Sequence, residues 1–247
     1  MALISAGKQL LVDRGLDTGL GLVSLNDAVM QSGVARASAY RAFGDEEMDP
    51  QVAFRTDLLI SYINEDPLEI RRRSAEQITA EALVLLESDD PVELAMTLRE
   101  TLRLAYAGDV AGYAEDPNWR VVGPSWAATA VNQWAPTELV DAHRAGNLKA
   151  ARYFLPLYQH VSEVAGMRLR PEFTWDMFGL LVNSALIGAS FHAKYHPELQ
   201  AVMRPTGPGG AEQPWTQAAL TIEGLTLTLF EADPKADVSA DLSSWIR

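Results

Sequence analysis

Residues 24–43 read SLNDAVMQSGVARASAYRAF, and the fold turns on this stretch. Ser24 is an N-cap residue ahead of the run Leu25–Met30, because its hydroxyl can accept from an unpaired amide of the first helical turn. Asp27 follows three residues later, an acidic form of the capping box that also suits the positive end of a helix. Gly33 interrupts the run, and Ser32-Gly33-Val34 forms a tight turn in which glycine supplies the positive φ. Ala35–Phe43 then makes a second short helix. Two helices joined this way have the layout of a helix-turn-helix, whose second helix enters a DNA major groove. Leu25, Val29, Val34, Ala39 and Phe43 would form its small core. Arg36, Ala37, Ser38, Tyr40 and Arg41 would face outward.

Outward from this stretch the chain also reads as helix. Leu3, Ala6, Leu10 and Leu11 recur at helical spacing, with Gly15 as a C-cap. Asp17–Val23 is a glycine-containing loop. Asp49-Pro50 opens a helix that runs to about Asn64. Pro67, Pro91, Pro117, Pro136 and Pro171 each stand near a further helix start, and the segments they open are 20 or more residues long. Thr221–Phe230 partly alternates, but the residues ahead of it favour a helix. Pro205–Pro214, with three glycines and three prolines, reads as a long loop. The tail beyond Asp233 is polar and reads as poorly ordered except around Trp245. The expected class is all-α. Residues 1–48 would be the helix-turn-helix domain, 49–233 a larger helical domain for regulation and dimerisation, and 234–247 a tail.

Composition narrows the function. The 247 residues are 48% hydrophobic and 21% charged, which excludes a wholly disordered chain. There is no cysteine, so disulfides, thiol catalysis and cysteine-held metals are excluded, and a reducing cytoplasm fits. Met1–Gly15 carries charges where a signal peptide would be apolar. Met177–Phe191, the most apolar stretch, is too short and polar for a good membrane span. The formal net charge is −13, a field that repels nucleic acid at long range.

With those residues in place, the stretch resembles the DNA-binding segment of TetR-family transcriptional regulators. The resemblance is carried by Ser24, Gly33, Val34, Tyr40 and Phe43, in a pattern of cap, helix, Gly-Val turn, short helix and Tyr-x-x-Phe. It covers roughly the first quarter of the chain. It implies that Ser24 caps its helix and contacts a phosphate, that Tyr40 contacts the DNA backbone, and that Arg36, Ala37, Ser38 and Arg41 face the groove. An arginine there could read a guanine edge. Three departures bear on DNA binding. Asp45-Glu46-Glu47 stands where the family carries a lysine near a phosphate, Ala28 replaces an isoleucine, and the loop before Ser24 is long. Residues 1–64 carry a net charge of −3, although Ser24–Phe43 alone carries +1.

The resemblance also implies an effector pocket and a dimer. Aromatic residues crowd the middle of the chain, and Tyr106, Trp126, Trp134, Tyr158, His160 and Phe178 are the candidate ligand-binding set for an apolar or aromatic small molecule. Taken singly, each reads first as a residue that fills a core; as a group they would make an apolar pocket. Phe173–Tyr195, rich in small residues, and the helix from about Trp215 to Phe230 would build a homodimer bundle.

Other motifs carry less. Arg71-Arg72-Arg73 points around a helix and reads as a solvated face. His192 and His196 lie one turn apart without a zinc-protease pattern, so no metal is expected. Gly207-Pro208-Gly209-Gly210 lacks the Lys-Ser/Thr of a phosphate loop, and no serine sits in a nucleophile elbow. No cofactor and no enzymatic activity are expected. The expected partners are operator DNA, a small-molecule effector and a second copy of the chain. The alternative is a related fold whose helix-turn-helix no longer binds DNA.

Overall fold

The computed structural model describes residues 1–14, 23–44, 48–64, 88–115, 119–133, 135–196, 201–206 and 211–246. Helices dominate: α1 (Ala2–Arg14), α2 (Leu25–Ser32), α3 (Arg36–Phe43), α4 (Pro50–Asn64), α5 (Pro91–Glu115), α6 (Trp119–Val131), α7 (Thr137–Tyr153), α8 (Leu155–Val164), α9 (Trp175–Tyr195) and α10 (Gln217–Leu229). Short strands β1 (Met167–Leu169), β2 (Ala201–Arg204), β3 (Gln213–Thr216) and β4 (Phe230–Ala232) complete the set, with a 3-10 turn at Leu242–Ile246. The strands pair as two antiparallel ribbons, β1 with β4 and β2 with β3. The expectation of an all-helical class holds.

The chain forms two compact units. The first comprises Met1–Pro67 with Asp116–Asn147, the second Leu68–Glu115 with Leu148–Arg247. In the first, the apolar faces of α1, α2 and α4 meet in one core. Leu11, Leu25, Ala28, Phe54 and Leu58 are almost wholly buried there, joined by Val121 of α6 and Leu139 of α7. The ring of Phe43 packs edge-on against Phe54, centroids 5.3 Å apart, and so seats α3 on α4. Gly7 faces Phe54 and Leu58 so closely that an added Cβ would lie 3.0 Å from the ring, which is why α1 can approach α4.

In the second unit α5, α9 and α10 pack together. Leu94, Leu98, Val182, Leu186, Ile222 and Leu229 supply buried aliphatic surface. Thr174 and Thr216 cap α9 and α10, each hydroxyl accepting from the amide three residues on.

Three sequence expectations need correction. Pro205–Pro214 is not all loop, because Gln213 and Pro214 belong to β3, paired with Arg204 and Met203. The tail is held in place well ahead of Trp245, and not around that residue alone. The Ala240 amide donates to the Ala165 carbonyl at 2.9 Å, and Asp241 donates to Pro91 at 2.9 Å. Gly166, at φ +63°, lets this segment in, since a Cβ there would sit 2.0 Å from the Val238 carbonyl oxygen. Helix lengths also differ: α6 has 13 residues, and the segment opened by Pro136 breaks at Phe154, where Pro156 in the first turn of α8 cannot continue an α-helical ladder. The loop residues 17–22, Pro67, Arg71–Arg73 and the Gly207–Gly210 run lie outside the described residues.

Candidate functional site

The helix-turn-helix is built by short-range hydrogen bonds. Ser24, in extended conformation, accepts from the Asp27 amide at 3.0 Å, while Asp27 Oδ2 accepts from the Ser24 amide at 3.2 Å. This is the reciprocal capping box. At the other end of α2, Gly33 takes φ +69° and its amide donates to the Val29 carbonyl at 3.1 Å. The space before its Cα is open, so conformation rather than crowding calls for glycine here. The Ser32 hydroxyl accepts from the Val34 amide at 3.3 Å and steadies the turn into α3.

α3 presents two faces. Ala39 is fully buried and Phe43 half-buried, whereas Arg36, Ala37, Ser38, Tyr40 and Arg41 are exposed. The Arg36 guanidinium lies over the Tyr40 ring, 5.3 Å from its centroid, a cation–π pairing. Arg41 Nε donates to the Ala37 carbonyl one turn back, at 3.2 Å. Ser24 is half-buried, with its hydroxyl engaged to Asp27. The predicted DNA-contact residues of α3 thus share one exposed surface. Asp45-Glu46-Glu47 lies outside the described residues.

Gln51 was not singled out from sequence. Its Oε1 accepts the Leu25 amide at 2.7 Å, joining α4 to the first turn of α2. Asp49 caps α4, accepting from the amides of Gln51 and Val52 at 2.9 and 3.2 Å. It leaves a carboxylate at the N-terminus of α4, where a phosphate would otherwise find positive potential.

A cavity of about 50 Å3 lies in the second unit. Tyr106 of α5, Tyr158 of α8 and Phe178 of α9 line it, three of the six residues proposed for ligand contact. Phe230 and Met167, at the ends of the β4–β1 ribbon, complete one wall. Their contribution was not legible locally, because Phe230 pairs with Leu169, a partner distant in sequence. Phe178 forms edge-to-face contacts with Tyr158, Trp175 and Phe230 at centroid distances of 5.4, 5.9 and 5.1 Å. Of the other three candidates, Trp126 belongs to the first unit, His160 is exposed on α8, and Trp134 lies outside the described residues. At about 50 Å3 the cavity is far below the roughly 300 Å3 or more of a drug-sized site.

A buried charge cluster sits elsewhere in the second unit. Glu223 of α10 accepts from Arg99 Nε at 2.6 Å and from Arg204 of β2. Both guanidinium groups stack on Trp215, 5.4 and 4.8 Å from its ring centroid. Arg99 also donates to the Trp245 carbonyl at 3.2 Å, and Trp245 Nε1 donates to the Ala95 carbonyl at 2.9 Å. One carboxylate therefore ties α5, α10, the β2–β3 ribbon and the C-terminal turn.

Among the described residues one serine–histidine contact bears on catalysis. Ser125 and His143 are both buried, 3.4 Å apart through Nε2. The serine gives its single proton to the Val122 carbonyl at 2.9 Å, so the contact is not that of a base drawing a proton from a nucleophile. Burial pushes the His143 pKa down and keeps the ring neutral. His192 and His196 are exposed, 6.5 Å apart by ring centroids, and His192 Nδ1 lies 3.3 Å from Gln217 Oε1. Among the described residues no three His, Asp or Glu side chains converge on a metal position, and no helix is long and apolar enough to cross a membrane.

A crystal structure of a "putative transcriptional regulator" from Rhodococcus sp. RHA1 is similar over 92% of this chain and 92% of its own, with a TM-score of 0.50 and 12% identity. At that identity the likeness is one of fold. No protein-family model matches the chain, and no curated protein matches it.

Proposed function

We propose that the protein is a DNA-binding transcriptional regulator of TetR type, a repressor released by a small apolar or aromatic effector. The observation that carries this reading is the capped, glycine-turned pair α2–α3, with its apolar side buried and Arg36, Ala37, Ser38, Tyr40 and Arg41 on one exposed surface. Similarity of fold to a regulator over 92% of both chains supports it. In this reading residues 1–48 dock on DNA, 49–233 bind effector and partner, and 234–247 form a terminal segment. Ser24 and Tyr40 contact phosphates and Arg36 reads a base edge. The protein acts in the cytoplasm, without cofactor and without catalysis.

The working unit is a homodimer whose two α3 helices enter successive major grooves, about 34 Å apart. Gly188 of α9 and Gly224 of α10 face open space, as a helical bundle between two copies would require. An effector releases DNA only by binding more tightly to a conformation in which that spacing is wrong. A tenfold preference shifts the balance by about 1.4 kcal/mol.

A second reading keeps the fold without DNA binding. It is favoured by the net charge of −3 over residues 1–64 and by the Asp49 carboxylate at the start of α4. Fluorescence anisotropy of the purified protein against its own upstream DNA, with a scrambled duplex at low and near-physiological salt, separates the two. Preferential binding that weakens with salt, and weakens again in Arg36→Ala and Arg41→Ala, is the expected result. Equal binding of both duplexes at both salts would put the second reading first.

A further inference from the structure

The cavity between α5, α8, α9 and α10 is lined, among the described residues, by uncharged side chains. Two aliphatic hydroxyls reach its wall, Ser162 and Thr226. Ser162 Oγ donates to the Gln159 carbonyl at 2.8 Å and Thr226 Oγ1 to the Ile222 carbonyl at 2.9 Å. A carbonyl can only accept, so each hydroxyl proton is committed within its own helix. Among the described residues no acidic, basic or histidine side chain lines the cavity. The charges adjacent in sequence to lining residues are Arg99, Arg103, Glu163, Arg168 and Glu231; Glu163 is exposed and Arg168 is paired with Glu231. Arg99 and Glu223 hold each other, and Arg103 is held by Glu100 and the Pro214 carbonyl. Among the described lining residues a carboxylate would find no cation and an ammonium no anion.

The ring geometry points to the shape of the occupant. Tyr158, Phe178 and Phe230 form consecutive edge-to-face contacts at interplanar angles of 81° and 84°. A further ring can join such a series, since aromatic edges and faces attract. Benzene occupies an engineered apolar cavity of roughly 150 Å3, about three times the present volume. A single ring therefore enters only if the wall gives way, and a fused bicycle needs a larger movement still.

We propose that this cavity is a receptor site for a neutral monocyclic aromatic molecule, and that it rejects the same ring bearing a carboxylate or ammonium group. The proposal rests on the regulator reading only in calling the occupant an effector. Its test runs without DNA, so failure of one does not imply failure of the other.

The probes are toluene, benzoate and benzylamine, titrated into the full chain and followed by thermal midpoint and by intrinsic fluorescence, with Trp175 5.9 Å from Phe178 as a reporter. Toluene is expected to raise the midpoint saturably, with benzoate and benzylamine at least roughly a hundredfold weaker, because an unpaired charge is costly to bury. Val161→Phe fills the cavity and should abolish toluene binding. Leu102→Ala enlarges it and should admit naphthalene, which decides the matter if Val161→Phe does not fold. Absence of toluene binding to the unaltered chain would overturn the proposal. So would benzoate or benzylamine binding within about tenfold of toluene, or toluene affinity and naphthalene rejection that Leu102→Ala leaves unchanged.

Discussion

Glu223→Gln should be among the most damaging isosteric changes in the second unit. The carboxylate is buried and accepts from Arg99 at 2.6 Å and from Arg204. The amide has the same shape but no charge, and its NH2 group turns a donor toward one of two guanidinium donors. The side chain of Arg204 is 27% exposed and can recover water, whereas that of Arg99 is 8% exposed and cannot. The cost therefore falls on Arg99, a buried cation left without a counter-charge, holding a neutral amide oxygen at best beside its Trp215 and Trp245 contacts. Removing one partner of such a pair costs about 3–5 kcal/mol. For a chain of this size that lowers the thermal midpoint by roughly 6–20 °C. Urea unfolding followed by circular dichroism and tryptophan fluorescence reads the loss, with coincident transitions as the condition for a two-state value. Arg99→Met combined with Glu223→Leu should return to within about 2 kcal/mol of the unaltered chain, because no buried charge then lacks a partner. A loss below about 1 kcal/mol for Glu223→Gln, or a double variant as unstable as the sum of its single changes, would refute the reasoning.

Ser24→Ala removes the hydroxyl that caps α2 and should cost about 1 kcal/mol in urea unfolding, with Ser24→Gly losing only a few tenths. Gly166→Ala should destabilise more than Gly33→Ala. Both take positive φ, but the added Cβ meets the Val238 carbonyl at 2.0 Å in the first and open space in the second. Faster acrylamide quenching of Trp245 in Gly166→Ala would show the C-terminal segment leaving its seat. His143, held below its ordinary pKa by burial, makes stability depend on pH. Its contribution is fully present above the unfolded value of about 6.5 and is lost as pH falls from there toward the folded value. Midpoints measured between pH 7 and 5 should fall, and His143→Gln should fall less; an unchanged slope would remove His143 as the cause.

What could be read from sequence follows how far apart the deciding partners lie. The cap at Ser24, its partner Asp27 and the turn at Gly33 lie within ten residues, so each is visible as a local pattern. The two-faced character of α3 is equally local, since Ala39 and Phe43 are one turn apart, although Phe43 is seated on the distant Phe54. The ligand candidates fared differently. Aromatic residues look alike whether they line a cavity or fill a core, and only long-range packing divides Tyr106, Tyr158 and Phe178 from Trp126.

The β2–β3 ribbon shows the same limit at its sharpest. Pro205–Pro214 has the composition of a loop, and nothing local in Ala201–Arg204 or Gln213–Thr216 demands a strand. Their pairing gains from contacts at long separation: Arg204 reaches Glu223, Trp215 lies beneath two guanidinium groups, and Trp215 Nε1 donates to Thr206 at 2.7 Å. A short two-stranded ribbon is marginal in water by itself, so the strands depend on the charge cluster they cover. The dependence runs both ways, because Trp215 shields Glu223 and Arg99 from the water that would otherwise weaken their attraction. Loop-like composition and a buried ion pair are thus two sides of one arrangement, and neither half predicts the other until both are placed against α5.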